Sequence, residues 1–156
     1  GVIGTKATIS SGAYRAEIAK LDPTIQVIEQ AAPLLVPLIE EGWMGKPETR
    51  MILKKYLRGL KSAAIDSLLL GCTHYPLLLK DIRRVAGKRV AIPDPGEIIA
   101  ASLKKYLDRH PELEIESSAN PKQRFLATDA NDRFRYLGEK FLGQPLTQLE
   151  QIIISD

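Results

Sequence analysis

The residues most able to do chemistry lie between Gly71 and Pro76, in the run Gly-Cys-Thr-His-Tyr-Pro. Cys72 is the only cysteine in the 156 residues, and His74 follows two positions later. A thiolate can act as a base or a nucleophile, and an imidazole exchanges protons near neutral pH. The pair could therefore move protons or attack a carbonyl group. The structural alternative is that Cys72 is a small buried hydrophobe and His74 an ordinary structural residue.

The elements on either side of Cys72 favour the chemical interpretation. The apolar run at residues 65–70 predicts a buried parallel strand, and Pro76 suits the first turn of a helix predicted over residues 76–85. Cys72 then occupies the turn at the carboxyl end of a strand, which is where open α/β sheets bind ligands. Backbone N–H groups at a helix start also attract anions and favour a thiolate.

Strand and helix patterns alternate along the rest of the chain. Strands are predicted at 2–3, 25–28, 89–92, 124–128 and 149–154, and a turn at 4–8. A helix with Tyr14, Ile18 and Leu21 on one side is predicted to follow that turn and to end at Asp22-Pro23, and further helical segments are predicted at 33–42, 48–60, 95–107 and 131–142. This alternation predicts an α/β fold with a parallel sheet covered by helices on both faces. The polar stretch 109–122 predicts a linker or an excursion, and the βαβ unit after it is too small to bury a core by itself.

Composition limits the functional classes. The net charge is only +3, and the local basic cluster of Lys80, Arg83, Arg84, Lys88 and Arg89 has no interleaved aromatic residues. It is interpreted as a solvated helix face, so no nucleic-acid partner is predicted. No apolar stretch approaches the roughly 18 residues that span a bilayer, so no membrane partner is predicted. A single cysteine fits a reducing compartment, which predicts the cytoplasm.

No cofactor is predicted. The sequence contains neither a Walker loop nor a Gly-x-Gly-x-x-Gly motif, so no nucleotide or organic cofactor is implied. Cys72, His74 and Asp94 could in principle bind a metal, but no second ligand pair stands at a recognised spacing. The metal interpretation is therefore set aside.

The segment Gly71–Pro76 closely resembles the second catalytic cysteine motif of glutamate racemases, the cofactor-independent enzymes that supply D-glutamate for bacterial peptidoglycan. Residues 1–8 and 32–40 also resemble segments of that family in the same order, as does Pro-Asp-Pro at 93–95. The family's first cysteine and its Asp-Ser site lie upstream of the segment that begins here at Gly1. The resemblance therefore implies a central and C-terminal portion of such a racemase. Residues 1–100 would form one complete lobe with the second catalytic cysteine, and residues 101–156 the returning part of the other lobe.

The resemblance also implies roles for particular residues. Cys72 would be one base of a two-base interconversion of L- and D-glutamate, so the chain alone is expected to be inactive. His74 and Glu40 would assist it, although Glu41 could take the place of Glu40 by a one-residue shift.

The same resemblance implies a set of substrate contacts. Thr73, His74, Thr5 and Thr8 would bind glutamate. Helix or turn capping is the structural alternative for the three threonines.

Two other functions remain open at this stage. Cys72 could attack a carbonyl with His74 as the base, as in a cysteine-dependent amidohydrolase. The chain could instead be a non-catalytic binding domain that uses its basic face. A homodimer is also left open.

Overall fold

The structure, a computed structural model, describes residues 1–113 and 123–154. The chain folds into two compact units, Gly1–Tyr106 and Leu107–Asp156. In the described ranges, no helix combines the length and the apolar character that crossing a bilayer requires.

The first unit is built on a parallel sheet of three short strands. The strands are β1 (Val2–Gly4), β2 (Glu29–Ala31) and β3 (Leu69–Gly71), in the order β2-β1-β3. The central strand β1 is entirely buried, and its Val2 and Ile3 are apolar, as expected for a strand covered on both faces. Gly4 pairs with Ala31 on one side and with Gly71 on the other. The three strands therefore end at the same level.

Helices fill the connections between these strands and extend beyond them. They are α1 (Lys6–Ser11), α2 (Ala13–Leu21), α3 (Leu35–Glu40), α4 (Pro47–Ser62), α5 (Leu79–Ala86) and α6 (Pro95–Leu107). A short 3-10 turn, Tyr75–Leu78, precedes α5.

The sequence of α4 explains where this helix begins and which of its faces is buried. Leu53, Leu57 and Leu60 recur at helical spacing and are all buried, which places one face of α4 on the core. Pro47 stands in the first turn, where its missing N–H is not needed. Helix α4 packs against α5, whose Ile82 is likewise buried.

The second unit contains a βαβ arrangement. Strands β4 (Phe125–Ala127) and β5 (Leu149–Gln151) pair in parallel, and α7 (Asp132–Leu142) connects them. The Asn131 side chain caps α7 by accepting a hydrogen bond from the Phe134 N–H at 2.8 Å. Leu146 is buried against Gly138, where a Cβ atom would lie only 2.7 Å from the leucine Cδ1.

The predicted α/β class with parallel strands is confirmed, and so are the helices predicted at 48–60, 95–107 and 131–142, to within a few residues. The short helical segment predicted at 33–42 is also present, as α3. The C-terminal strands predicted at 124–128 and 149–154 are present but are only three residues long. Of the predicted linker 109–122, residues 114–122 lie outside the described ranges, and Pro111–Leu113 forms a 3-10 turn.

Several local predictions are wrong. Residues 4–8 do not form only a turn, because α1 begins at Lys6. The strand predicted at 25–28 lies instead at Glu29–Ala31, and the strand predicted at 65–70 is reduced to Leu69–Gly71. Residues 89–92 contribute only a bridge between Ser67 and Ala91. The two strand corrections share a cause: the chain turns into α1 directly after Gly4, so the central strand offers β2 and β3 only three residues to pair with. The bridge at Ala91 is separate, because it forms beside Ser67, before β3 begins.

Candidate functional site

The candidate site begins at the carboxyl edge of the three-stranded sheet. Gly4 and Gly71 pair in register at the ends of β1 and β3. Thr5 and Cys72 are the next residues, so they leave the sheet side by side. A Cβ atom on Gly71 would lie 3.3 Å from the Thr8 Cγ2, which shows how closely α1 approaches the end of β3. The structure thus brings the segments containing Thr5, Thr8 and Cys72 together.

The two threonines have a local structural task. The Thr5 side chain caps α1 by accepting from the Thr8 N–H at 3.2 Å, and the two hydroxyl oxygens are 2.9 Å apart. The capping alternative from the sequence is therefore observed. Each hydroxyl retains further hydrogen-bonding capacity, because a hydroxyl has one donor and two acceptor sites.

Cys72 lies on the turn between β3 and the helical segment that follows. Its side chain is half-buried, and the Tyr75 N–H donates to the Cys72 carbonyl at 3.2 Å. Thr73 is exposed, and His74 is half-buried. The predicted helix starting at Pro76 is wrong in its first turn, since Tyr75–Leu78 is a 3-10 turn and α5 starts only at Leu79.

Tyr75 connects this turn to the chain at the end of β2. It is fully buried, and its hydroxyl donates to the carbonyl of Ala32 at 3.0 Å, just beyond the end of β2. Burial raises the pKa of Tyr75 well above its usual range, with smaller contributions from the nearby Cys72 and Tyr56. The phenol therefore stays protonated and keeps its hydrogen bond. Sequence reasoning did not assign a role to Tyr75; its position immediately after the Cys-Thr-His triplet was the available signal.

Glu40, the last residue of α3, reaches the same region. Its Oε1 is 3.4 Å from the His74 Nε2, and the two side chains are 34% and 31% exposed. Glu41 instead lines an apolar groove that also contains Trp43. Of the two neighbouring acids, Glu40 is thus the one beside the imidazole.

The arrangement can move protons. A partly accessible thiol can act as acid or base, and an imidazole next to a carboxylate can relay a proton or hold an anionic ligand. Within residues 1–113 and 123–154, no group of three His, Cys, Asp or Glu side chains is arranged to hold a metal. Asp94 has a local task, since its Oδ1 accepts from the Gly96 N–H at 2.9 Å.

A parallel α/β sheet that presents a thiol and an imidazole–carboxylate pair at its carboxyl edge is typical of enzymes that use a cysteine as acid, base or nucleophile. A sequence profile of the family described as Asp/Glu/Hydantoin racemase matches residues 1–103. The chain belongs to this family of racemases.

Individual relatives of the chain within this family are glutamate racemases. The chain is 42% identical to a glutamate racemase of Syntrophus aciditrophicus over 97% of its own length, and 41% identical to one of Neisseria meningitidis over the same share. It spans 56% of the length of each of these relatives.

Solved structures give the same result for the fold. A glutamate racemase of Francisella tularensis in complex with D-glutamate matches 98% of this chain with a TM-score of 0.88 and 35% identity. One from Bacillus anthracis matches 99% of the chain with a TM-score of 0.87 and 32% identity. The chain covers 57% of each of these two structures.

Proposed function

We propose that this chain is part of a glutamate racemase that interconverts L- and D-glutamate. The observation that carries the proposal is the 42% identity to a glutamate racemase over 97% of the chain. The geometry supports it, since the thiol of the motif Gly-Cys-Thr-His lies half-buried at the carboxyl edge of a parallel sheet.

The proposed reaction needs two acid–base groups on opposite faces of the substrate. One removes the α-proton of glutamate, and the other returns a proton to the opposite face of the same carbon. Cys72 acts on one face, as thiolate in one direction and as thiol in the other. The group for the other face is a cysteine outside these 156 residues, and no cofactor takes part.

The neighbouring residues support Cys72 in this proposal. His74 exchanges protons with the reacting groups or holds the substrate carboxylate, and Glu40 orients the imidazole across the 3.4 Å contact. Thr73 offers its exposed hydroxyl and N–H to the substrate. Thr5 and Thr8 offer their remaining hydrogen-bonding capacity from the start of α1.

The proposal includes the organisation of the parent protein. Residues 1–100 form the lobe that carries Cys72, and residues 101–156 contribute to the other lobe. D-Glutamate would supply peptidoglycan synthesis, in the cytoplasm where its precursors are made.

The test follows the α-proton in heavy water by ¹H NMR, with the protein encoded by the full reading frame that contains this chain. We expect both enantiomers of glutamate to acquire solvent deuterium as they interconvert, with no covalent adduct by mass spectrometry. We expect Cys72→Ser to lower the rate by about 10²-fold or more. An acyl-thioester on Cys72 would favour the amidohydrolase instead.

A second measurement uses the 156-residue chain alone. Circular dichroism should detect no racemisation of D-glutamate, because one face of the substrate lacks its partner group. Turnover by a monomer, confirmed by sedimentation, would contradict the two-base assignment. Turnover by a homodimer would mean that Cys72 serves both faces.

A further inference from the structure

The first unit contains a second cleft, between α4 and α5, that the proposed racemase chemistry does not use. It has a volume of about 500 Å³ and is lined by Lys54, Arg58, Lys61, Ser62, Arg84 and Val85. Four of these six side chains are cationic, and none is acidic or aromatic. The charges of the chain as a whole are nearly balanced, with 22 basic and 19 acidic residues, so the lining is much more positive than the chain on average.

The fold holds these cations together. Lys54, Arg58 and Lys61 stand at helical spacing i, i+4 and i+7, which places them on one face of α4. The adjoining face, with Leu53, Leu57 and Leu60, is fixed in the core. The Lys61 Nζ donates to the Val85 carbonyl at 2.9 Å and so ties the end of α4 to the end of α5.

A purely structural explanation covers only part of the cluster. Lys61 and Arg84 stand in the last turns of their helices, where positive charge stabilises the helix dipole. Lys54 and Arg58 come before the last turn of α4, so the helix dipole does not account for them. They stand at i and i+4, and like charges at that spacing cost stability. Among the ion pairs of the described residues, none involves Lys54, Arg58 or Arg84.

We propose that this cleft binds a small molecule that carries at least two linked phosphate groups. Guanidinium groups bind phosphate oxygens in a bidentate manner, and ammonium groups add point charges, so two of each can satisfy a phosphate chain. The volume is that of an ordinary small-molecule site. The absence of aromatic side chains from the lining argues against a single-stranded nucleic acid, which stacks its bases on such residues.

The cleft is independent of the candidate racemase site. Helix α4 ends shortly before β3 begins, and α5 follows the end of β3, so both helices end toward the amino edge of the sheet. Cys72 lies at the carboxyl edge. The phosphate proposal therefore does not rest on the proposed racemase function.

The test is isothermal titration calorimetry of the 156-residue chain with tripolyphosphate, pyrophosphate and orthophosphate at low salt. We expect affinity to rise with the number of linked phosphates and to fall as salt is added. The double variant K54Q/R58Q should bind tripolyphosphate at least about tenfold more weakly, because charge-assisted hydrogen bonds are lost. The control K55Q/K88Q removes the same net charge outside the cleft lining and should change affinity less than twofold. Thermal melts monitored by circular dichroism verify that both variants fold.

Two results would overturn the proposal: no measurable binding of any linked phosphate, or equal weakening in both double variants. Titration with ATP distinguishes the sources of the ligand. Affinity equal to that of tripolyphosphate supports recognition of the phosphate chain alone, and tighter binding supports a nucleotide. If a duplex DNA oligonucleotide bound more tightly than any of these ligands, and its affinity fell equally in both variants, the binding would belong to a general basic surface rather than to the cleft.

Discussion

At the scale of single residues, the accessibility of one sulfur atom decides whether the racemase proposal is physically sound. Cys72 is half-buried at the edge of the sheet rather than enclosed in the core. We predict that iodoacetamide modifies it completely in the folded chain near neutral pH, giving one adduct by mass spectrometry. A thiol that reacts only after urea unfolds the chain would contradict this and would restore the interpretation of Cys72 as a small core hydrophobe.

The choice between Glu40 and Glu41 is also made at this scale. The Glu40 carboxylate lies 3.4 Å from the His74 imidazole, whereas Glu41 lines the groove with Trp43. For the proposed racemisation by the protein that the full reading frame encodes, we predict that Glu40→Gln lowers kcat/KM by about tenfold or more, because the proposed acid–base contact with His74 is weakened. Glu41→Gln is the matched control and should change kcat/KM less than twofold. Equal losses would remove Glu40 from the site.

At the scale of elements, the close packing of α1 and α2 on the end of β3 leaves little room for a side chain at Gly71. A Cβ atom on Gly71 would lie 3.0 Å from the Tyr14 Cε2 and 3.3 Å from the Ile3 carbonyl oxygen. We predict that Gly71→Ala destabilises the chain by about 1–3 kcal/mol, as overpacking of a buried site does. Urea denaturation measures this change.

Gly59→Ala is the control for that experiment. Gly59 lies within α4, and nothing lies within 4 Å of its added Cβ atom. Alanine should therefore stabilise the helix by about 0.5–1 kcal/mol. If the two substitutions had the same sign, the packing argument for Gly71 would fail.

The 3-10 turn after the Cys-Thr-His triplet depends on Tyr75. Its buried hydroxyl donates to the Ala32 carbonyl, so Tyr75→Phe should cost about 1 kcal/mol at neutral pH. Because burial raises the pKa of Tyr75, the folded state holds this proton where an unfolded tyrosine releases it, above about pH 10. That part of the stability is present below pH 10 and is lost as the pH rises further.

The measurement is the free energy of unfolding between pH 7 and pH 11. We predict a fall above pH 10 that is shallower in Tyr75→Phe than in the wild type. Tyr106→Phe, which changes a tyrosine of the same unit that is 44% exposed, is the control variant. An identical slope in all three proteins would show that Tyr75 ionises as freely in the folded state as in the unfolded state.

At the scale of the whole molecule, α6 carries an uncovered apolar surface. Ile98, Ile99, Leu103 and Tyr106 are all exposed on it. Contiguous exposed apolar surface promotes association. We predict concentration-dependent association of the 156-residue chain in sedimentation experiments, reduced by Ile99→Lys. Leu21→Lys, at a leucine of α2 that is 86% exposed, should leave the association unchanged. Equal effects of the two variants would contradict a role for α6.

Local patterns predicted helices better than strands. The leucines of α4 repeat at helical spacing, and the periodicity alone located that helix. The strand predicted at 25–28 failed because parallel pairing is non-local: β2 could form only where the three residues of β1 were available. Residues 89–92 also depend on a distant partner, since they meet the chain only at Ser67, before β3 begins, and form a single bridge there.

The sequence by itself determined the α/β class, the position of Cys72 after a strand, and the residues that resemble a racemase motif. These features depend on hydrophobic periodicity and on turn residues, which neighbouring positions in the chain specify. Only the tertiary structure decided that Gly4 and Gly71 pair, which sets Thr5 beside Cys72, and that Glu40 rather than Glu41 reaches His74. These contacts join residues far apart in the chain. Their geometry depends on strand register and on where α3 ends, and no local pattern specifies either.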